Sequence, residues 1–381
     1  QEDSFYIDRL QNLGKNSWSW FNWYAIQKTD VLKSAIIYSK KYSLKNNINI
    51  LEINNKKILT FWNKKYNVFQ ILHGRIYNDN IQNVAVISKN NIVHGASYQQ
   101  IDGDLKGAEN NICLRIGTPR IKKKFPGCVL NLAQGASGHN NYSHWLLDIL
   151  PKLKLYSELF SFKNLDYIYL NKLNNFQKSS LNLLNLNNIK LIDAEKYRHI
   201  ECNELIAVQH PTYFQGYILD QAQYVPEWIV EWLRESFLDK SEHIDVGNKI
   251  FIDRSKSLFK HCQIINHDET IKFLKTKGFE ILRLEDFSFE QQISIFQQNK
   301  VVVSPHGAGL TNLCFSKANS SVIEIRPSKP GYAYQNKVYE RISEINNLNY
   351  RLYSTTYLKN NNLNGDIIVD TKILNDYLNK I

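Results

Sequence analysis

The chain has 381 residues, 43% of them hydrophobic, which is enough for two α/β domains with sizeable cores, and no apolar run approaches the length of a membrane span. Its five cysteines are widely spaced with no Cys-x-x-Cys pair, which argues against a disulfide framework and against a zinc site. The formal charge of +11 is spread along the chain with no helix-turn-helix, finger or RNA-binding signature, so it fits an anionic substrate or surface better than sequence-specific nucleic acid.

That cysteine usage makes a reducing cytoplasm the expected home, with contact to a membrane only at its inner face, and residues Gln1 to Arg9 lack the basic and then apolar order of a secretory signal. Trp18, Trp20, Phe21, Trp23 and Tyr24 form an aromatic cluster that reads as core before it reads as a sugar-stacking or membrane surface. Between Asn67 and Ile116, short alternating runs separated by Asn-Asp, Asn-Asn and Gly signals predict an antiparallel meander.

Val129 to Leu132 then predicts a strand, Gln134 to Asn141 a polar loop, and the stretch from Ser143 a helix. His144 and Asp148 stand four apart and share one face of that helix. As a surface pair they would stabilise their own helix by a few tenths of a kcal/mol, roughly. Beside His139, Asn140 and Asn141 at the helix opening they could instead deprotonate a hydroxyl. Pro151 should kink the helix or begin a new one.

Strands follow at 167–170, 189–192 and 205–208, with a helix near 176–186, and 225–238 predicts an amphipathic helix before a polar linker at 241–248. A second alternation begins at Lys249 to Arg254, with helices from His267 and Ser288 and strands at 279–284, 301–304, 321–325 and 350–357. In Val301-Val302-Val303-Ser304-Pro305-His306-Gly307-Ala308-Gly309-Leu310-Thr311-Asn312 a buried strand hands over to a glycine-containing loop and a short helix. Such a turn offers backbone amides to an anion, or is simply a tight turn with a packed histidine. Residues at the ends of parallel strands should converge, here Arg254, His306 and Glu324.

Several motifs in order carry a resemblance: His144-Trp145-Leu146-Leu147-Asp148 through Leu150-Pro151, Ile252-Asp253-Arg254-Ser255, Asn266 with Glu269, Ser288-Phe289 with Glu290-Gln291, Pro305 through Asn312, and Val322-Ile323-Glu324. Over about 127–330 the chain resembles glycosyltransferase family 61. The resemblance implies a GT-B architecture, two Rossmann-like domains facing across a cleft, and inverting transfer from a nucleotide-sugar donor to a glycan or glycolipid acceptor.

Together with the pattern of elements it divides the chain into an acceptor-side domain at 1–240, with 1–125 read from its alternating runs as an antiparallel β elaboration, a donor-binding domain at 241–360, and a segment at 361–381 packing back on the first domain. Asp148 is the expected base, with His144 as its alternative or orienting partner, and His306 joins them as a catalytic candidate. Arg254, Lys256, Ser304, Gly307, Ala308, Gly309, Leu310, Thr311 and Asn312 are expected on the donor, Glu324 on its ribose, and His139, Asn140 and Asn141 on the acceptor side. No Asp-x-Asp pair sits in a suitable loop, so no obligatory metal is expected. Cys262-Gln263 stands where family members usually carry an arginine pair, and His267 replaces a glutamate. The competing readings are an idle nucleotide-sugar-binding module and a polyanion-binding protein.

Overall fold

The computed structural model describes residues 47–80, 83–101, 104–133, 141–212, 216–217, 223–257, 262–328, 337–358 and 365–381. The aromatic cluster at 18–24 lies outside them. The chain divides into two compact units, 1–218 and 219–381.

In the first unit the meander comes first: β1 (Ile48–Glu52), β2 (Asn67–Leu72), β3 (Arg75–Asn80), β4 (Asn83–Ser88), β5 (Asn91–Ile92), β6 (Tyr98–Ile101) and β7 (Asp104–Lys106). Then β8 (Lys123–Asn131), a helical stretch, β9 (Tyr167–Leu170), helix α3 (Asn175–Leu183), β10 (Lys190–Asp193), β11 (His199–Val208) and β12 (Gly216–Tyr217) follow. The helical stretch is α1 (Tyr142–His144), a π-helical turn (Trp145–Ile149) and α2 (Pro151–Ser157). Strands β10, β9, β8 and β11 lie side by side and parallel, as the alternation of strand and helix predicts.

The meander continues the same sheet. β11 is ten residues long, and its free edge takes β2 along 204–208 and β3 along 199–201, both antiparallel. Ile71, Ile76, Val129, Tyr169 and Leu205 therefore share one core. The β8–β11 register shifts between Cys202 and Glu204, opposite Pro126-Gly127. Pro126 has no amide for the ladder, and Gly127, at φ +95°, lies so close to the Asp166 carboxylate that a side chain would overlap it.

The second unit holds α4 (Glu227–Phe237), β13 (Lys249–Ile252), α5 (His267–Thr276), β14 (Glu280–Leu282), α6 (Phe289–Gln298), β15 (Val301–Pro305), a 3₁₀ helix (Ala308–Phe315), β16 (Ser321–Pro327), α7 (Val338–Ile345), β17 (Asn349–Leu358), β18 (Asp366–Ile368) and α8 (Thr371–Leu378). Its strand order is β14-β13-β15-β16-β17-β18, parallel except for β18. The order reverses between β13 and β15. In open parallel sheets such a reversal leaves a crevice beyond the strands' C-terminal ends, where ligands bind.

Two segments pack differently from the expected domain division. α4 belongs to the second unit, because its apolar face is buried there: Phe237 meets Phe289 edge-on at 5.2 Å, and Arg234 donates to the carbonyls of Cys314 and Ser316. The supposed linker after it is held, with Glu242 N donating to Glu290 O and Ser241 to Gln297. α8 packs on its own unit, with Leu374 in the core and Tyr377 against Tyr353 at 5.2 Å.

Candidate functional site

In the first unit the chemistry gathers at the C-terminal ends of β8 and β11. Asn141 caps α1, accepting from the amides of Ser143 and His144, and so fixes where the helix begins. Pro151 has no amide to continue the α-helical ladder, and Leu150 N reaches back five residues to Trp145 O instead. The widened turn carries Asp148 inward and buries Trp145, whose indole donates to Ser180 at 2.9 Å.

Asp148 is buried and both its oxygens are occupied. His144 Nδ1 lies 2.6 Å from Oδ2, and the Thr212 hydroxyl donates to Oδ1 at 2.7 Å. Burial pushes the Asp148 carboxyl up, but the hydrogen bonds from His144 and from the Thr212 hydroxyl hold it below its ordinary value. Being ionised it can only accept, so the proton of the close contact sits on His144 Nδ1, and the other ring nitrogen has no hydrogen-bond partner among the described residues. His144 is also the more open of the two, with 30% of its side chain exposed against 11% for Asp148.

Of the expected base and its alternative, the geometry suits His144 to that role better than Asp148. A carboxylate that is buried, doubly hydrogen-bonded and held in its charged form is a poor proton acceptor, whereas an imidazole with a carboxylate behind it and its second nitrogen unengaged among the described residues is a good one. Two further residues, not singled out by sequence reading, complete the cluster. His210, one strand-end away, is held down to about 3 by burial, so it stays neutral, and its Nδ1 accepts from Thr212 N at 3.2 Å. Lys152 is only 2% exposed, and burial brings its ammonium down to about 7 against the opposing pull of Asp148. His144, Asp148 and Lys152 recur every four residues, a signal that was present in the sequence. His139 and Asn140 lie outside the described residues.

In the second unit the strand reversal is lined by Arg254, beyond β13, and His306, beyond β15. The Arg254 guanidinium donates to His306 O and lies flat against Gly307, where any Cβ would overlap it. That close approach is why glycine stands at 307, whose backbone is itself ordinary extended chain. The 3₁₀ helix starts at once, and Leu310 N is spent on Gly307 O. Ala308 and Gly309 are the partly exposed residues of this turn, and their amides have no acceptor within the helix.

The remaining expected donor contacts are interior. Ser304 donates to Pro305 O, Asn312 donates to Gln292 and to Gly309 O, and Thr311 is buried beside the Tyr339 phenol. Lys256 is exposed.

Glu324 lies within β16, fully buried, and both its oxygens are committed. Oε1 takes His306 Nδ1 at 2.5 Å and Arg326 Nε at 2.7 Å, and Oε2 takes Arg326 Nη2 at 2.8 Å and the Tyr350 hydroxyl at 2.6 Å. No lone pair is left to receive a ribose hydroxyl, so the expected role does not fit. Burial alone would raise this carboxyl, but Arg326 and His306 bring it down to about 2. Its work is to hold His306: the shared proton sits on Nδ1, and burial, outweighing Glu324, lowers the His306 pKa. A neutral His306 supplies no positive charge to a phosphate.

The positions that depart from the family pattern also have local roles. Cys262 is buried in the core at φ 53°, and Gln263 donates to Arg254 O at 3.2 Å. His267 Nε2 lies 3.0 Å from Asp253, whose carboxylate also accepts from Ser255. These residues brace the Arg254 loop.

Residues 142–323 match the family model described as Glycosyltransferase 61, which bears out the likeness read from the order of motifs. No curated protein matches the chain.

Proposed function

We propose that this chain, a family 61 glycosyltransferase across residues 142–323, is an inverting enzyme that moves a hexosyl or pentosyl group from a nucleotide-sugar donor to a hydroxyl of a cell-surface glycan. In this reading the two units act as the halves of a GT-B enzyme. The first handles the acceptor and the second the donor.

The observation that carries the reading is the His144–Asp148 pair, an imidazole with a buried carboxylate 2.6 Å behind one nitrogen and the other nitrogen unengaged among the described residues. The acceptor hydroxyl gives its proton to His144 as its oxygen attacks the anomeric carbon. The carbon–oxygen bond to the diphosphate breaks on the opposite face, the nucleoside diphosphate leaves with the electron pair, and the configuration inverts. Asp148 stabilises the imidazolium that forms, and Thr212 fixes Asp148. On the donor side, Arg254 and the first-turn amides of Ala308 and Gly309 meet the diphosphate, where a planar cation and aligned N–H groups are strongest. His306, neutral and oriented by Glu324, holds the shape of the turn beside Arg254. This countercharge comes from the protein, so the reaction is expected to run without an obligatory metal.

The test is a screen of nucleotide sugars by thermal shift followed by transfer assays on glycan acceptors, with H144A as the control. Donor binding with transfer in the wild type, and donor binding without transfer in H144A, supports the reading. Donor binding with no transfer by the wild type to any acceptor would favour an idle binding module.

A further inference from the structure

The connection from β1 to β2, residues 53–66, carries no acidic residue and four lysines, Lys56, Lys57, Lys64 and Lys65, all exposed. Among the described residues only Lys65 has an acidic partner, Glu52 of β1 at 2.8 Å. At the tip stand Phe61 and Trp62, 40% and 39% exposed, their rings 5.5 Å apart and edge-on. Large aromatic side chains at a turn tip are costly in water and belong where one side of the ring is apolar and the other wet.

The loop is built to hold them there. Ile53, Ile58 and Tyr66 are buried as its base, Ile53 N bonds to Tyr66 O, and Thr60 closes the tip by accepting from Asn63 N and bonding to Lys64 through N and O. Its position is fixed as well. Tyr66 donates to Pro211 O at 2.6 Å and Asn55 to Glu158 at 3.0 Å, which ties the loop to the 210–212 segment and to the end of α2.

We propose that the β1–β2 loop docks on an anionic bilayer surface, with Phe61 and Trp62 entering the headgroup boundary and Lys56, Lys57 and Lys64 meeting lipid phosphates. Charge complementarity selects this partner: a loop with several cations, no anion and a paired aromatic tip matches an interface that is negative outside and apolar a few ångströms in. A glycan-stacking platform fits less well, because the two rings present no common flat face. The loop neighbours the residues that hold Asp148, so a docked chain keeps the His144–Asp148 edge beside the headgroups, where a lipid-linked acceptor would be presented. That last consequence, unlike the docking, rests on the transferase reading.

The full chain would be sedimented with vesicles of phosphatidylserine and phosphatidylcholine, mixed roughly one to three, and with phosphatidylcholine alone. Binding to the anionic vesicles is expected, weakening with salt. Each lysine should contribute roughly fivefold, so K56E/K57E/K64E should lose on the order of a hundredfold or more. F61S/W62S should lose at least about tenfold with an unchanged melting curve.

Brominated phosphatidylcholine in the same vesicles should quench tryptophan emission in the wild type, and W62F should bind yet escape most of that quenching. The proposal falls if vesicle binding shows no preference for anionic lipid, if either surface variant binds as the wild type does, or if W62F is quenched equally. It falls also if dextran sulfate displaces the protein while F61S/W62S is without effect, since that marks a polyanion site. Loss of transfer with docking intact would count against the reaction assigned above and leave docking standing.

Discussion

Replacing Glu324 with glutamine should be among the most destabilising single changes in the second unit. The carboxylate is fully buried and accepts from His306, Arg326 and Tyr350, and Arg326 is itself only 1% exposed. A carboxyl held at about 2 rather than 4.5 has its charged form favoured by roughly 3 kcal/mol. Removing one partner of a buried pair costs about 3–5 kcal/mol, because the other charge is left unmatched. The two routes agree, so E324Q should lose roughly 3–5 kcal/mol.

The sign in pH follows from the depressed value. The stabilisation is complete above 4.5 and is lost as pH falls toward 2, so E324Q should lack that acid limb. Urea unfolding followed by far-UV circular dichroism measures the loss, and hydrogen exchange at β16 amides assigns it to this unit. The double variant E324Q/R326M should recover part of it, because the stranded guanidinium is gone. A loss in E324Q below about 1 kcal/mol, or a double variant no better than the single, refutes the reasoning.

H144A should reduce turnover by roughly 10²–10⁴ with donor affinity retained, read by transfer assay and calorimetry; D148N should also impair turnover, and an unimpaired H144A would return the base to Asp148. G307A should push the Arg254 guanidinium from its seat and weaken donor binding about ten- to a hundredfold, the worth of a charge-assisted contact, measured by titration with nucleoside diphosphate. Lys152 is held at about 7 in the folded chain against 10.5 in the unfolded one, so the unfolded state binds the extra proton between these values and stability rises with pH across that window. K152M should flatten that rise in a denaturation series and be the more stable protein below pH 7.

The parallel halves of both sheets are legible because their strands are buried on both faces. Lys249–Ile252, Val301–Pro305 and Ser321–Pro327 read as short β-rich runs ended by charge, proline or glycine. The joining of the meander to the parallel strands is not legible, since β11 meets β2 across more than a hundred residues and no local pattern records it. The same limit applies to the site. The spacing of His144 and Asp148 is visible, but which of them takes the proton depends on Thr212, 64 residues further on. Glu324 was expected to face a ligand because it lies near a strand end. Arg326, two residues on and on the same face, was the sign that its charge is used internally.

The splice at β11 sets a practical limit on dissecting this protein. A fragment cut to the matched span, 142–323, would begin after β8 and without β2 and β3, stripping β11 of its three described strand neighbours, and would end inside β16 without β17. Bare edges of that kind invite self-association, so such a fragment should clump rather than report on the enzyme.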